Sequence, residues 1–114
     1  MGYEVDFRID TGARELWCAR TRTVANLNYT SNCAPMFRLA FASDKGLHEL
    51  NGLTGRDARA KVKGACDHIE RDAGAYRALN PANGWGDSLT CYAFLRSILT
   101  LCERYTRAKI FVSA

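Results

Sequence analysis

Histidine and proline are scarce in this chain, two of each among 114 residues, and the motifs that announce common chemistries are missing. There is no Gly-x-Gly-x-x-Gly, no P-loop, no His-Glu-x-x-His and no Gly-x-Ser-x-Gly. Dinucleotide, triphosphate, zinc-peptidase and α/β-hydrolase chemistry therefore have no support in the sequence. Long apolar runs are missing as well. Charges such as Arg38 and Arg96 interrupt them well short of the roughly 20 residues that a membrane-spanning helix needs. The start, Met-Gly-Tyr-Glu-Val-Asp, has neither the basic stretch nor the apolar block of a secretion signal, and Asp6 stands where a myristoylation start favours Ser or Thr. The expected location is the cytoplasm, with no membrane partner.

Cysteine is plentiful, but its pattern is not that of a framework. Cys18, Cys33, Cys66, Cys91 and Cys102 are an odd set without a Cys-x-x-Cys pair, whereas zinc sites show closely spaced ligands and disulfide scaffolds an even count. They read as reduced thiols packed like small hydrophobes, with no metal and no cofactor. Cys66 and His68, two residues apart on a helix, point to different faces. The net charge of +4 comes from 16 basic and 12 acidic residues, and 12 of the basic ones are arginines. Arginine suits phosphate or carboxylate partners, yet nucleic-acid binders concentrate such charge in a stripe.

With 47% apolar and 25% charged residues, the whole chain, 1–114, fits one globular domain. Tyr3, Val5, Phe7 and Ile9 alternate with Glu4, Asp6, Arg8 and Asp10, the period-two pattern of a strand with one wet face. Thr11 to Arg14 supplies a turn, and Glu15 to Thr23 reads as a second strand. Asn26 to Ala34 is dense in side chains that hydrogen-bond locally and reads as a loop. Pro35 opens a short helix over Met36 to Ala42, and Ser43 to Gly52 is a connector. Thr54 and Asp57 form a variant capping box for a helix with Ala58, Val62, Ala65, Cys66 and Ile69 on one face. Gly74 marks a break before a helical turn over Ala75 to Leu79, which Asn80-Pro81 closes. Asp87 or Ser88 caps a core helix running to about Tyr105, and Lys109 to Ser113 is a final strand. The expected fold is α+β, two-layered. A small antiparallel sheet of two or three strands, the N-terminal hairpin plus the C-terminal strand, is covered by about three helices.

The stretch from Leu79 to Asp87, Leu-Asn-Pro-Ala-Asn-Gly-Trp-Gly-Asp, and the loop from Asn26 to Ala34 are the candidate site. Asparagine offers donors and acceptors on a short arm, glycine admits close approach, and tryptophan gives a flat surface. If they bind, Trp85 and Tyr29 stack, Asn28, Asn32, Asn83 and Asp87 hydrogen-bond, and Arg38 holds an anion. The competing reading has these residues capping helices and closing turns, with Trp85 as the lid of the core.

The segments Asn-Leu-Asn-Tyr-Thr-Ser-Asn-Cys-Ala-Pro-Met-Phe at 26–37, Leu50-Asn51-Gly52, and Tyr-Arg-Ala-Leu-Asn-Pro-Ala-Asn-Gly-Trp-Gly at 76–86 resemble a group of small uncharacterised bacterial, phage and prophage proteins. The group pairs an Asn-rich Pro-Met-Phe segment with Asn-Pro-x-Asn-Gly-Trp-Gly. The resemblance implies that the two loops form one surface, and it carries no activity to transfer.

The leading expectation is a non-enzymatic binding protein of phage or mobile-element type that contacts a host protein or small ligand. Inhibitors of host defence systems are one form of such a protein. The alternative is a nucleic-acid or nucleotide binder using Arg56, Arg59, Lys61 and Lys63 of the amphipathic helix with Tyr29 and Trp85. An enzyme using Asp87, His48 or Cys33 is the third reading, without an assembled base, nucleophile and orienter.

Overall fold

The computed structural model describes residues 2–12 and 20–114. Strand β1 (Gly2–Asp10) is the centre of a three-stranded antiparallel sheet of order β2-β1-β3. Tyr3, Val5 and Phe7 are buried and Glu4 faces out, as the alternation demands. β3 (Lys109–Ser113) joins one side of β1 in the register Val5↔Val112 and Phe7↔Ile110, adding Ile110 and Val112 to the core. The fold is the small α+β arrangement expected, with helices on one face of the sheet.

β2 (Thr21–Thr30) differs from the sequence-based expectation. The segment from Asn26 to Thr30, read as loop, is the last half of this strand, and its register against β1 includes Asp6↔Asn26, Glu4↔Asn28 and Tyr3↔Tyr29. The reason is visible in the alternation. Leu27 and Tyr29 pack against the core, while Asn26 and Asn28 are exposed. There the Asn26 amide donates to Asp6, and Asn28 Nδ2 donates to Asn26 Oδ1 over 3.2 Å. Amides that disrupt ladders elsewhere here form a row on a solvated strand face. A bulge between Phe7 and Arg8 accommodates Val24 as an extra residue. Of the second strand expected from Glu15, residues up to Ala19, with Leu16, Trp17 and Cys18, lie outside the described residues, as do Ala13 and Arg14 of the turn.

The outer edge of β3 is covered. Gly52 N–H donates to the Ile110 carbonyl (2.7 Å), and Ile110 N–H donates to that of Leu53 (2.8 Å). Val112 N–H donates to Asn51 Oδ1 (2.9 Å). Buried ladder groups are thereby satisfied, and no bare edge remains there.

Four α-helices occur among the described residues. α1 (Ala34–Ala40) holds Pro35 in its first turn. It ends before the expected Ala42 because that residue takes φ +50°, a left-handed conformation incompatible with continuing the helix. α2 (Gly55–Arg71) is capped by Thr54, whose Oγ1 accepts from Asp57 N–H, and buries Ala58, Val62, Ala65, Cys66 and Ile69. The break after it falls at Asp72 (φ −134°, ψ 50°), ahead of Gly74, so α3 spans Ala73–Arg77. Buried Tyr76 pins α3 to α2, its hydroxyl lying 2.5 Å from His68 Nδ1. α4 (Ser88–Arg104) buries Phe94, Leu95, Ile98, Leu99 and two cysteines. It packs along α2, with Gly55 set so closely against its end that an added Cβ would lie 2.4 Å from the Tyr105 carbonyl oxygen.

Candidate functional site

The site is built where the loop between α3 and α4 meets the end of β2. Local chemistry shapes that loop. Asn80 Oδ1 accepts the Ser88 N–H (2.9 Å) and ties the two ends together, and Asn83 Oδ1 accepts the Trp85 N–H (2.9 Å). Gly84 and Gly86 take φ +74° and +85°, values that glycine adopts without strain. Asp87 then caps α4 in a reciprocal capping box. Its Oδ1 accepts from Thr90 N–H (2.8 Å), and Thr90 Oγ1 accepts from Asp87 N–H (3.1 Å). These bonds hold the Asp87 carboxyl below the usual carboxylate range, the Thr90 backbone N–H contributing most.

Gly86 is the docking point. A Cβ there would lie 2.6 Å from Thr30 Cγ2 and 2.8 Å from Cys33 Sγ, so only glycine lets the loop backbone sit this close. Tyr29 completes the clasp, donating its hydroxyl to the Asp87 carbonyl (3.1 Å) with Thr90 Oγ1 2.7 Å away. Burial pushes its phenol well above its ordinary value, so the hydroxyl keeps its proton and remains a donor. The Tyr29 ring is stacked on Phe94, centroids 4.9 Å apart, and meets Phe37 edge-on at 5.9 Å. Its expected role as a stacking platform is therefore already taken by the core.

The clasp frames an open cleft of about 1200 Å³. Gly2 and Glu4 of β1 and Asn28, Tyr29 and Thr30 of β2 form one wall, Asn32 follows, and Asn83, Trp85 and Gly86 form the opposite rim. Residues of the two amide-rich segments thus line one cleft. Trp85 is 69% exposed, which overturns its reading as a lid of the core. Asn28 gives one amide hydrogen to Asn26, and Asn83 gives its carbonyl oxygen to Trp85. Among the described residues, neither Asn28 Oδ1 nor Asn83 Nδ2 has a hydrogen-bond partner. Asn32 uses its backbone N–H on Thr30 Oγ1 (3.3 Å).

The other sequence candidates lie apart from this cleft. Arg38 is exposed on α1 and is not among the described lining residues. Asp87 caps α4 through its Oδ1 and is not among the residues that line this cleft. Of the α2 cations, Arg59 pairs with Glu103 (3.2 Å) and Lys63 with Asp67 (3.1 Å). Arg56 and Lys61 are exposed on the same helix, and none of the four lines the Trp85 cleft.

His48, Cys33 and Asp87 do not assemble as a catalytic set. His48 packs against Tyr3, ring centroids 5.8 Å apart, whereas Cys33 Sγ neighbours the Tyr29 hydroxyl at 3.5 Å. Burial raises the Cys33 thiol and pushes those of Cys91 and Cys102 up to about 12, so they stay protonated and unreactive near neutral pH. Cys33, Cys66, Cys91 and Cys102 are all buried. A thiol-labelling time course on native protein should therefore leave these four unmodified, and denaturant should expose them together. Rapid native labelling of Cys33 would contradict the packing described. Among the described residues, no group of three or more His, Cys, Asp or Glu is placed to hold a metal ion.

Sequence reasoning missed Glu4, Thr30 and Thr90 as cleft residues. The N-terminal alternation placed Glu4 on the wet face, but only the pairing Glu4↔Asn28 brings it to the amides. A second cleft, about 440 Å³, lies on the other side of the same loop between Ile69, Ala73, Leu89 and Tyr92. Leu89 there is 79% exposed, and the Tyr92 hydroxyl donates to Glu70 (2.6 Å). Comparison with protein-family models, curated proteins and solved structures finds no match to this chain.

Proposed function

We propose that the protein is a binding module that works through the Trp85 cleft, recognising a small ligand or a partner protein by stacking and hydrogen bonding, with no covalent step of its own. One observation carries this reading: a large aromatic side chain is held in solvent by a loop whose backbone is locked. An indole left exposed forgoes burial of an area of roughly 150–250 Å². Here the loop that presents it is fastened by Gly86 against Thr30 and Cys33 and by Tyr29 against Asp87. Preorganised aromatic groups of this kind lower the ordering cost of association and dominate binding energy where they become buried.

Nucleic acid is the weaker reading. Glu4 lines the same cleft as Trp85, and a carboxylate repels phosphate. Two of the four α2 cations are already paired.

Immobilised wild-type protein and its Trp85→Ala variant, exposed in parallel to host extract and to a metabolite extract, test the proposal. A species retained by the wild type should be reduced at least ten-fold on the variant, with the melting temperature nearly unchanged. Identical retention profiles would remove the cleft from the function.

A further inference from the structure

Resting on the binding reading above, the chemistry of the cleft narrows the ligand class. We infer that it takes a neutral polyhydroxylated ring, a pyranose unit of a sugar or glycan. Trp85 supplies the flat apolar surface against which the C–H face of such a ring packs. Around it stand planar polar groups, the amides of Asn28, Asn32 and Asn83 and the carboxylate of Glu4. An amide offers an oxygen acceptor and two N–H donors on one rigid plane, which matches the paired donor and acceptor roles of adjacent sugar hydroxyls. Among the described residues, internal bonds leave Asn28 Oδ1 and Asn83 Nδ2, one acceptor and one donor group, unused.

Charge separates this class from its rivals. None of the described lining residues is a lysine or arginine, so among them a phosphate, sulfate or carboxylate ligand finds no cationic side chain and meets Glu4 instead. A quaternary or primary ammonium would pair with Glu4 and with the face of Trp85. It leaves three neutral amides without a role, and the two tyrosines that could extend an aromatic cage are committed elsewhere. Tyr29 is stacked on Phe94 at 4.9 Å and Tyr3 is set edge-on to Phe37 at 5.4 Å. The cleft, about 1200 Å³, is larger than the roughly 300–1,000 Å³ of most small-ligand sites, room for more than one ring.

The test is calorimetric or saturation-transfer titration of the full chain with glucose, galactose, mannose, N-acetylglucosamine and disaccharides of each, followed by a glycan array. Choline chloride, inorganic phosphate and AMP form separate arms. Saturable binding of at least one sugar is expected, tighter for a disaccharide than for its monomer and insensitive to added salt. It should weaken at least ten-fold in Trp85→Ala and several-fold in Asn83→Ala or Asn32→Ala. No saturable binding to any glycan, or binding of choline or AMP tighter than every sugar, overturns the inference. If sugars fail while extract components still distinguish wild type from Trp85→Ala, only the ligand class is wrong. If that distinction also vanishes, the binding reading falls with it.

Discussion

Replacing Gly86 with alanine is expected to destabilise the protein by about 2–5 kcal/mol, measured by urea denaturation. Two costs add. The residue has φ +85°, a conformation that charges an L side chain roughly 1–2 kcal/mol. Its Cβ would also arrive 2.6 Å from Thr30 Cγ2, 2.8 Å from Cys33 Sγ and 3.1 Å from the Tyr29 hydroxyl, and overpacking of this kind costs typically about 1–3 kcal/mol. Gly84→Ala is the internal control. Gly84 has φ +74° with nothing within 4 Å of an added Cβ, so it should show the conformational cost alone, about 1–2 kcal/mol. Gly86→Ala should also lift Trp85 away from the Asn28 wall and weaken binding beyond what Gly84→Ala does. Equal effects of the two substitutions would mean that the loop does not dock on β2 as described.

Phe37→Ala is expected to have the largest effect on stability, about 3–5 kcal/mol, enough to lower the melting temperature of a chain this size by roughly 10–25 °C. Phe37 on α1 is fully buried. Its ring meets those of Tyr3 (5.4 Å), Tyr29 (5.9 Å) and Phe94 (6.0 Å), so it joins β1, β2 and α4 in one aromatic cluster. Removing it leaves a cavity directly beneath Tyr29, whose hydroxyl fastens the Asp87 end of the loop. Phe37→Leu, which keeps most of the volume, should lose much less. The alanine variant should therefore lose ligand affinity as well as stability, in contrast to a substitution on the open rim. A loss below about 1 kcal/mol would contradict a fully buried hub.

How far the sequence could be read depended on which forces were local. The strand from Tyr3 to Ile9, the caps at Thr54 and Asp87, and the amphipathic faces of α2 and α4 are legible because each rests on a periodicity or a bond spanning three or four residues. From sequence, Asn26 to Thr30 reads as loop because asparagine's preference for turns carries no information about the partner strand. On the strand the Asn26 amide donates across the sheet to Asp6 and Asn28 donates along the strand to Asn26, while Leu27 and Tyr29 keep the strand's alternation. That the two amide-rich segments line one cleft rests on the fold, since nothing local joins residues some 50 apart in the chain. The exposure of Trp85 was not legible, because a tryptophan between two glycines suits a core lid and an open platform equally well. Gly86 decides between them by a contact with Thr30 and Cys33 that only the fold reveals.

The most direct measurement of the central claim is the fluorescence of Trp85 as the sole indole, in a Trp17→Phe background. In the free protein it should show solvent-like emission and efficient acrylamide quenching, in keeping with its 69% exposure, and both should fall when the cleft is filled by a saturating ligand. Blue-shifted emission shielded from acrylamide in the free protein, or a bound ligand that leaves the indole unprotected, would contradict the account.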